Sequence, residues 1–176
     1  ALRAQSDALA AWLAERLGDD RAPVAVIGHK EPEMLVAFLG VVKSGRPYVP
    51  IDLSIPAQRA ERIVHNAGAA LTLTPALVRE ALAETPASAV TQRVAGEDPY
   101  YILFTSGSTG RPKGVTLTHG NATSFVDWAR RVVQPSPDDR FSSHAPFHFD
   151  LSILDLYVPL STGASVVIID EETGKD

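Results

Sequence analysis

Apolar residues recur along this chain in two alternating rhythms. Short runs of β-branched and aromatic residues read as strands, and stretches with apolar positions at helical spacing read as helices. Leu9, Leu13 and Leu17, with Trp12 beside them, predict a helix over 1–17 that stops at Gly18. A strand follows at 24–27. Pro32 then opens a helix through Met34, Phe38 and Val41 to about Lys43, with Gly45 as its stop. The pattern continues with a strand at 48–51, a helix opened by Pro56 with Ile63 on its inner face, and a strand at 71–73. Next come a helix over 75–83, a strand at 90–94, and a buried strand at 100–104. The last part reads as a strand at 115–118, a helix containing Phe125 and Trp128, a strand at 140–144, a helix around 151–160 and a strand at 166–169.

Strands alternating with helices through most of the length predict an α/β fold, layered, with a largely parallel sheet flanked by helices. The segments 84–88 and the charged tail from Asp170 read as loops, not as domain boundaries. Because the chain opens directly inside a helix, the expectation is that it begins partway through a larger domain.

One stretch breaks the rhythm. Between the strands at 100–104 and 115–118 lie Thr105, Ser106, Gly107, Ser108, Thr109, Gly110, Arg111, Pro112, Lys113 and Gly114. Glycines let backbone N–H groups approach an anion, the hydroxyls add donors, and Lys113 adds a mobile positive charge. That combination reads as a polyphosphate cradle, against the plainer reading of a flexible surface turn. It is not the P-loop of nucleotide hydrolases, which needs Gly before the Lys and Ser or Thr after it. Here Pro112 precedes Lys113 and Gly114 follows it.

Composition narrows the field. With 176 residues the chain can form one domain with a real core, and a net charge of −5 gives no general basic surface for nucleic acid. The longest apolar run, 34–42, is too short to span a bilayer, so no membrane insertion is expected. No secretory signal is visible, which makes the cytoplasm the default location. There is no cysteine, so a thioester made here must use a thiol brought by a partner. His144 and His148 are four apart, but Pro146 between them breaks any helix that would pair them on a metal, so no metal site is assigned to the protein itself. His29, His65 and His119 read as surface or capping residues, and Asp155 as solvated or paired with no special role.

The loop sequence TSGSTGRPKG at 105–114 resembles the phosphate loop of the adenylate-forming enzymes: acyl-CoA synthetases, luciferases and the domains that load amino acids onto carrier proteins. VVKSGRPYVPID at 41–52 resembles a second motif of that family, and read alone it is a helix stop and a strand with a structural role. In APFHFDLSILDLY at 145–157, Asp150 after Phe149 is similar to the residue that holds the substrate α-amino group in amino-acid-activating members. A buried carboxylate is costly without a cation, so an ammonium partner makes physical sense. Asp150 can also serve as cap of the helix starting at Leu151. The segments 28–69 and 145–152 resemble the ligases that charge a carrier protein with D-alanine.

The resemblance covers almost the whole chain and implies part of the large N-terminal domain of that fold, without the small mobile C-terminal domain. It implies activation of a small amino acid with ATP and Mg2+ as the aminoacyl adenylate, then transfer to the phosphopantetheine thiol of a carrier protein. Thr105, Ser106, Gly107, Ser108, Thr109, Gly110, Lys113 and Gly114 would bind the ATP phosphates, with Thr109 and Lys113 in catalytic roles. Asp150, Leu151 and Leu154 would bind the amino acid. The motifs that contact adenine, ribose and magnesium lie beyond position 176 in the family, so the chain alone is expected to be inactive. The alternatives are an acyl-CoA ligase, against which Asp150 speaks, and a nucleotide-binding module that does no chemistry.

Overall fold

The computed structural model of the chain describes residues 1–86, 92–106 and 112–169. Its elements are α1 (Leu2–Leu17), β1 (Val24–Gly28), α2 (Pro32–Lys43), β2 (Tyr48–Asp52), α3 (Ala57–Ala67), β3 (Leu71–Leu73) and α4 (Pro75–Glu84). They continue with β4 (Pro99–Ser106), β5 (Pro112–Thr118), α5 (His119–Val133), β6 (Arg140–Ser143), α6 (Ser152–Thr162) and β7 (Ser165–Ile168). These lie close to the positions the apolar pattern predicts, with one exception. Residues 92–94, expected to end a strand, form none, and the rest of that expected strand includes positions outside the described residues. Gln92 spends its N–H on the Lys43 carbonyl at 3.1 Å instead of on a ladder.

The main sheet has the order β3-β1-β2-β4-β5. The first four strands pair in parallel, and β5 returns antiparallel beside β4. β6 and β7 form a separate parallel pair. The fold is therefore α/β with a mostly parallel central sheet flanked by helices, as the alternation predicts. Right-handed crossovers decide which helix covers which face. The steps β1 to β2 and β3 to β4 move one way across the sheet and carry α2 and α4; the step β2 to β3 moves the other way and carries α3. Accordingly α1, α2 and α4 pack on one another. α3 lies against the opposite face, where Ile63 is buried with Ala25, Val49 and Ile51.

Side chains along β1 show the two-residue period directly: Val24 and Val26 belong to the larger core, while Ala25 and Ile27 face α3. β4 departs from it. Tyr100 and Tyr101 both enter the larger core, because the β4–β5 register shifts between Pro99 and Tyr101. Such a bulge lets successive side chains share a face.

The segment 41–52 is structural in this fold. Lys43 Nζ bridges to Asp7 and Ser6 on α1 at 2.7 Å each. The buried Arg46 donates to the carbonyls of Ser44 and Gly18 at 3.1 and 2.7 Å. α3 stops at Gly68, whose φ of 63° is the left-handed conformation that favours glycine. α5 starts with a capping box in which the Thr118 hydroxyl accepts from Asn121 N and the Asn121 side chain accepts from Thr118 N, worth about 1 kcal/mol. Among the described residues no helix is long and apolar enough to cross a membrane.

Candidate active site

The phosphate-loop candidates sit on a β-hairpin. Thr105 opposes Lys113 and Phe104 opposes Gly114 across the antiparallel β4–β5 ladder. The Thr105 hydroxyl donates to the Lys113 carbonyl at 3.5 Å, and both residues are exposed. Gly114 has a packing reason to be glycine: a Cβ there would stand 3.1 Å from the Phe104 ring and 3.2 Å from Ile102. Gly107, Ser108, Thr109, Gly110 and Arg111 lie outside the described residues, as does the side chain of Ser106.

Asp150 precedes α6 in a turn tied by main-chain bonds from Phe149 N to Pro146 O and from Ser152 N to Phe149 O. The Ser152 hydroxyl adds a bond to the Phe149 carbonyl at 2.6 Å, and the buried Phe147 anchors the turn. Two sequence expectations change here. Asp150 is exposed, not buried, because the turn is closed by backbone and Ser152 without engaging its carboxylate. Nor does its carboxylate cap the helix: the N-cap position is Leu151 with no side-chain bond, and Asp150 contributes only its carbonyl, which accepts from Ile153 N at 3.0 Å. Leu151 is exposed and Leu154 half-buried.

Asp155 has a larger part than its sequence suggested. Its Oδ2 accepts from the N–H groups of His144 and Ala145, each at 3.1 Å. Lys30 Nζ donates to the carbonyls of Ser143 and His144 from the other side. One carboxylate and one ammonium thus hold the connection that leads from β6 to the Asp150 turn. His119 is also more than a surface residue. It packs edge-on against Tyr100 with ring centroids 4.9 Å apart, and burial pushes its pKa down. His144 and His148 flank Pro146 in a non-helical connection, and the described residues contain no group of three His, Cys, Asp or Glu suited to a metal.

A cavity of about 650 Å³ joins these parts. Thr105 and Phe104 from β4 line one side, Phe149 and Asp150 another, and Pro56 and Arg59 from the start of α3 a third. The hairpin end and the Asp150 turn, 45 positions apart in sequence, therefore open on one space. Tyr101 on β4 senses the same carboxylate. Its pKa is pushed up to about 12, first by burial and then by the negative charge of Asp150. A larger cavity of about 780 Å³ lies on the α3 side of the sheet, bordered by Ile27, Asp52, Glu61 and His65, and is lined by none of the candidate phosphate- or amino-acid-binding residues.

Sequence reasoning missed Arg59. Its Nε is buried without a hydrogen-bond partner, which costs about 1–3 kcal/mol for an N–H left unpaired. On an amphipathic helix an arginine carries no mark that separates it from a solvated one, so only the three-dimensional cavity reveals it.

The mostly parallel sheet flanked by helices, with a cavity where β4, the start of α3 and the Asp150 turn meet, is an α/β architecture with a pocket beside its sheet, and the AMP-binding enzyme family model matches residues 1–176. The chain belongs to that family. Particular relatives are the D-alanine--D-alanyl carrier protein ligases of Bacillus thuringiensis (strain Al Hakam) and Bacillus anthracis, each 40% identical over 190 residues, covering 97% of this chain and 37% of the relative. The chain thus spans little more than a third of the length of these ligases. Among solved structures, the N-terminal subdomain of Klebsiella oxytoca NpsA in complex with 3-hydroxyanthranilyl-AMSN aligns with a TM-score of 0.84 at 26% identity, over 96% of this chain and 45% of that one. The nonribosomal peptide synthetase FmoA3 (S1046A) in its AMPPNP-bound form aligns with a TM-score of 0.87 at 28% identity, over 96% of this chain and 19% of that one.

Proposed function

We propose that the chain is the front part of the large domain of a ligase that activates D-alanine or a similar small amino acid with ATP and passes it to a carrier-protein thiol. The observation that carries this reading is the cavity shared by Thr105 and Asp150. It brings the end of β4, from which the glycine- and hydroxyl-rich stretch continues in sequence, and a carboxylate to one space, which suits a ligand with phosphates at one end and an ammonium at the other. The relatives that are D-alanine ligases support the choice of a small amino acid.

In this reading Thr105, Ser106, Gly107, Ser108, Thr109, Gly110 and Gly114 surround the β- and γ-phosphates. Lys113 offsets their charge as a point cation. Magnesium would arrive on the phosphates and neutralise them further. Asp150 pairs with the substrate ammonium, and Leu151 and Leu154 border its side chain. A substrate carboxylate oxygen then bonds to the α-phosphorus while the bond to the leaving pyrophosphate breaks, giving the aminoacyl adenylate. The phosphopantetheine thiol of a carrier protein next attacks the acyl carbon, forming the thioester as the bond to AMP breaks and AMP leaves; this cysteine-free chain supplies no such thiol itself.

Positioning contributes most of the rate in such a reaction, up to about 7–11 kcal/mol, so the chain by itself is expected to be silent. Amino-acid-dependent ATP–pyrophosphate exchange by the complete protein carrying this chain is the test. Exchange with small amino acids and not with the matching plain carboxylic acids supports the reading. Exchange with plain acids alone overturns it.

A further inference from the structure

We propose that Arg59 is a further phosphate-binding residue of this site, acting beside Lys113 on the polyphosphate; the inference rests on the proposed ATP-dependent function. Arg59 lies in the first turn of α3 and lines the same cavity as Thr105 and Asp150. Its Nε is buried without an acceptor, and among the described residues its guanidinium has neither hydrogen bond nor ion pair. Among the described residues Arg46 also has a buried, unpartnered Nε, but both of its terminal nitrogens donate to carbonyls, whereas Arg59 spends none of its donors. A cation held in a cleft with unspent donors needs an anion. Asp150 lines the same cavity, yet among the described residues it forms no ion pair with Arg59.

Two anions enter such a site, the polyphosphate and the amino acid carboxylate. The neighbours of Arg59 favour the first. The hairpin end at Thr105 leads straight into the glycine-rich loop, and the Arg fork matches phosphate oxygens two at a time. With Asp150 taking the ammonium, the two charged side chains that line the cavity sort the two ends of the ligand pair. Lys113 reaches the phosphates from β5, the far strand of the hairpin, and Arg59 from α3, so the two cations act from different elements.

The test compares wild type, Arg59→Gln and Arg59→Lys in the complete protein. In ATP–pyrophosphate exchange, Arg59→Gln should raise KM for ATP and for pyrophosphate by about tenfold or more, as expected for loss of a charge-assisted bond. KM for the amino acid should stay within roughly twofold, a split that a purely structural residue would not produce. Arg59→Lys should fall between the two, since it keeps the charge and loses the fork. Calorimetric binding of inorganic pyrophosphate should weaken in parallel. That second readout does not require turnover, so it tests Arg59 even if no amino acid supports exchange and the proposed activity fails. A rise confined to the amino acid KM would assign Arg59 to the carboxylate and overturn the proposal. So would pyrophosphate binding unchanged in Arg59→Gln, or a lowered melting temperature with unaltered KM values.

Discussion

The Tyr157 hydroxyl donates to the Tyr48 hydroxyl at 3.1 Å, joining α6 to β2 inside the larger core. Tyr100 and Tyr101 complete the group: Tyr100 packs within 5.5 Å of both Tyr101 and Tyr157, and Tyr48 within 6 Å of both Tyr100 and Tyr101. These are all four tyrosines of the chain. α6 carries the Asp150 turn at its start, so the cluster fixes that turn against β4, the strand that precedes the glycine-rich stretch in sequence.

Burial raises the pKa of every member, to about 12 for Tyr101 and well above the ordinary value for Tyr48 and Tyr100. A phenol whose folded pKa lies above its unfolded value of about 10 contributes stability that is complete below that value and is lost as pH rises through the folded pKa. An ultraviolet titration should therefore show no tyrosinate near pH 10, and then a joint rise that coincides with loss of the far-ultraviolet signal. A smooth titration centred near 10 in the folded protein would mean the cluster is solvated.

Asp52 offers the opposite sign. It is buried at the end of β2, which alone raises a carboxyl pKa. Bonds from Ser54 at 2.8 Å and from His29 at 3.1 Å outweigh that, and the net shift is downward. Its stabilising effect is present above the ordinary value of 3.8 and is lost as pH falls through the lower folded value. Asp52→Asn should thus lower urea stability by about 1 kcal/mol at neutral pH. The gap should close once pH drops below the ordinary carboxyl range; a gap that persists there would show that packing, not charge, matters at this position.

The fold was legible in the sequence because its rules are local. Period and punctuation placed Gly18, Pro32 and Pro75 correctly at helix boundaries, and the alternation of elements implied the parallel sheet. What was not legible depends on contacts between distant positions. Nothing in the spacing around Asp155 says that its carboxylate will hold the backbone of His144 and Ala145. Nothing in helix α3 distinguishes Arg59 from its solvated neighbour Arg62, which reaches back to Gln58. The exposure of Asp150 was misjudged for the same reason. Whether a turn residue faces inward is decided by Phe147 and Ser152, and their roles appear only when the turn is closed.

The exposed position of Lys113 makes its substitution a clean separation of chemistry from folding. A surface side chain without a bonded partner seldom contributes more than about 0.5 kcal/mol to stability. Lys113→Ala in the complete protein should therefore slow pyrophosphate exchange strongly while moving the melting temperature by no more than about a degree or two. A fall of many degrees with normal residual exchange would make the hairpin a structural feature and remove Lys113 from the reaction.

Asp150 is the residue on which substrate choice turns. In the ligand-free chain its carboxylate is exposed, so it is already hydrated and its removal should leave the fold intact. Bound against a substrate ammonium in the cavity it would form a charge-assisted hydrogen bond, worth about 1.5–3 kcal/mol. At 1.4 kcal/mol per factor of ten, Asp150→Ala should raise the amino acid KM by roughly ten- to a hundredfold. The KM for ATP should hardly change, because in the proposed function the phosphates are held by other residues. Asp150→Asn is the informative companion: it keeps size and a hydrogen-bond acceptor but loses the charge, and should recover only a small part of the loss. If either variant uses the amino acid as well as wild type does, Asp150 does not hold the ammonium, and the assignment of an amino acid substrate loses its main structural support.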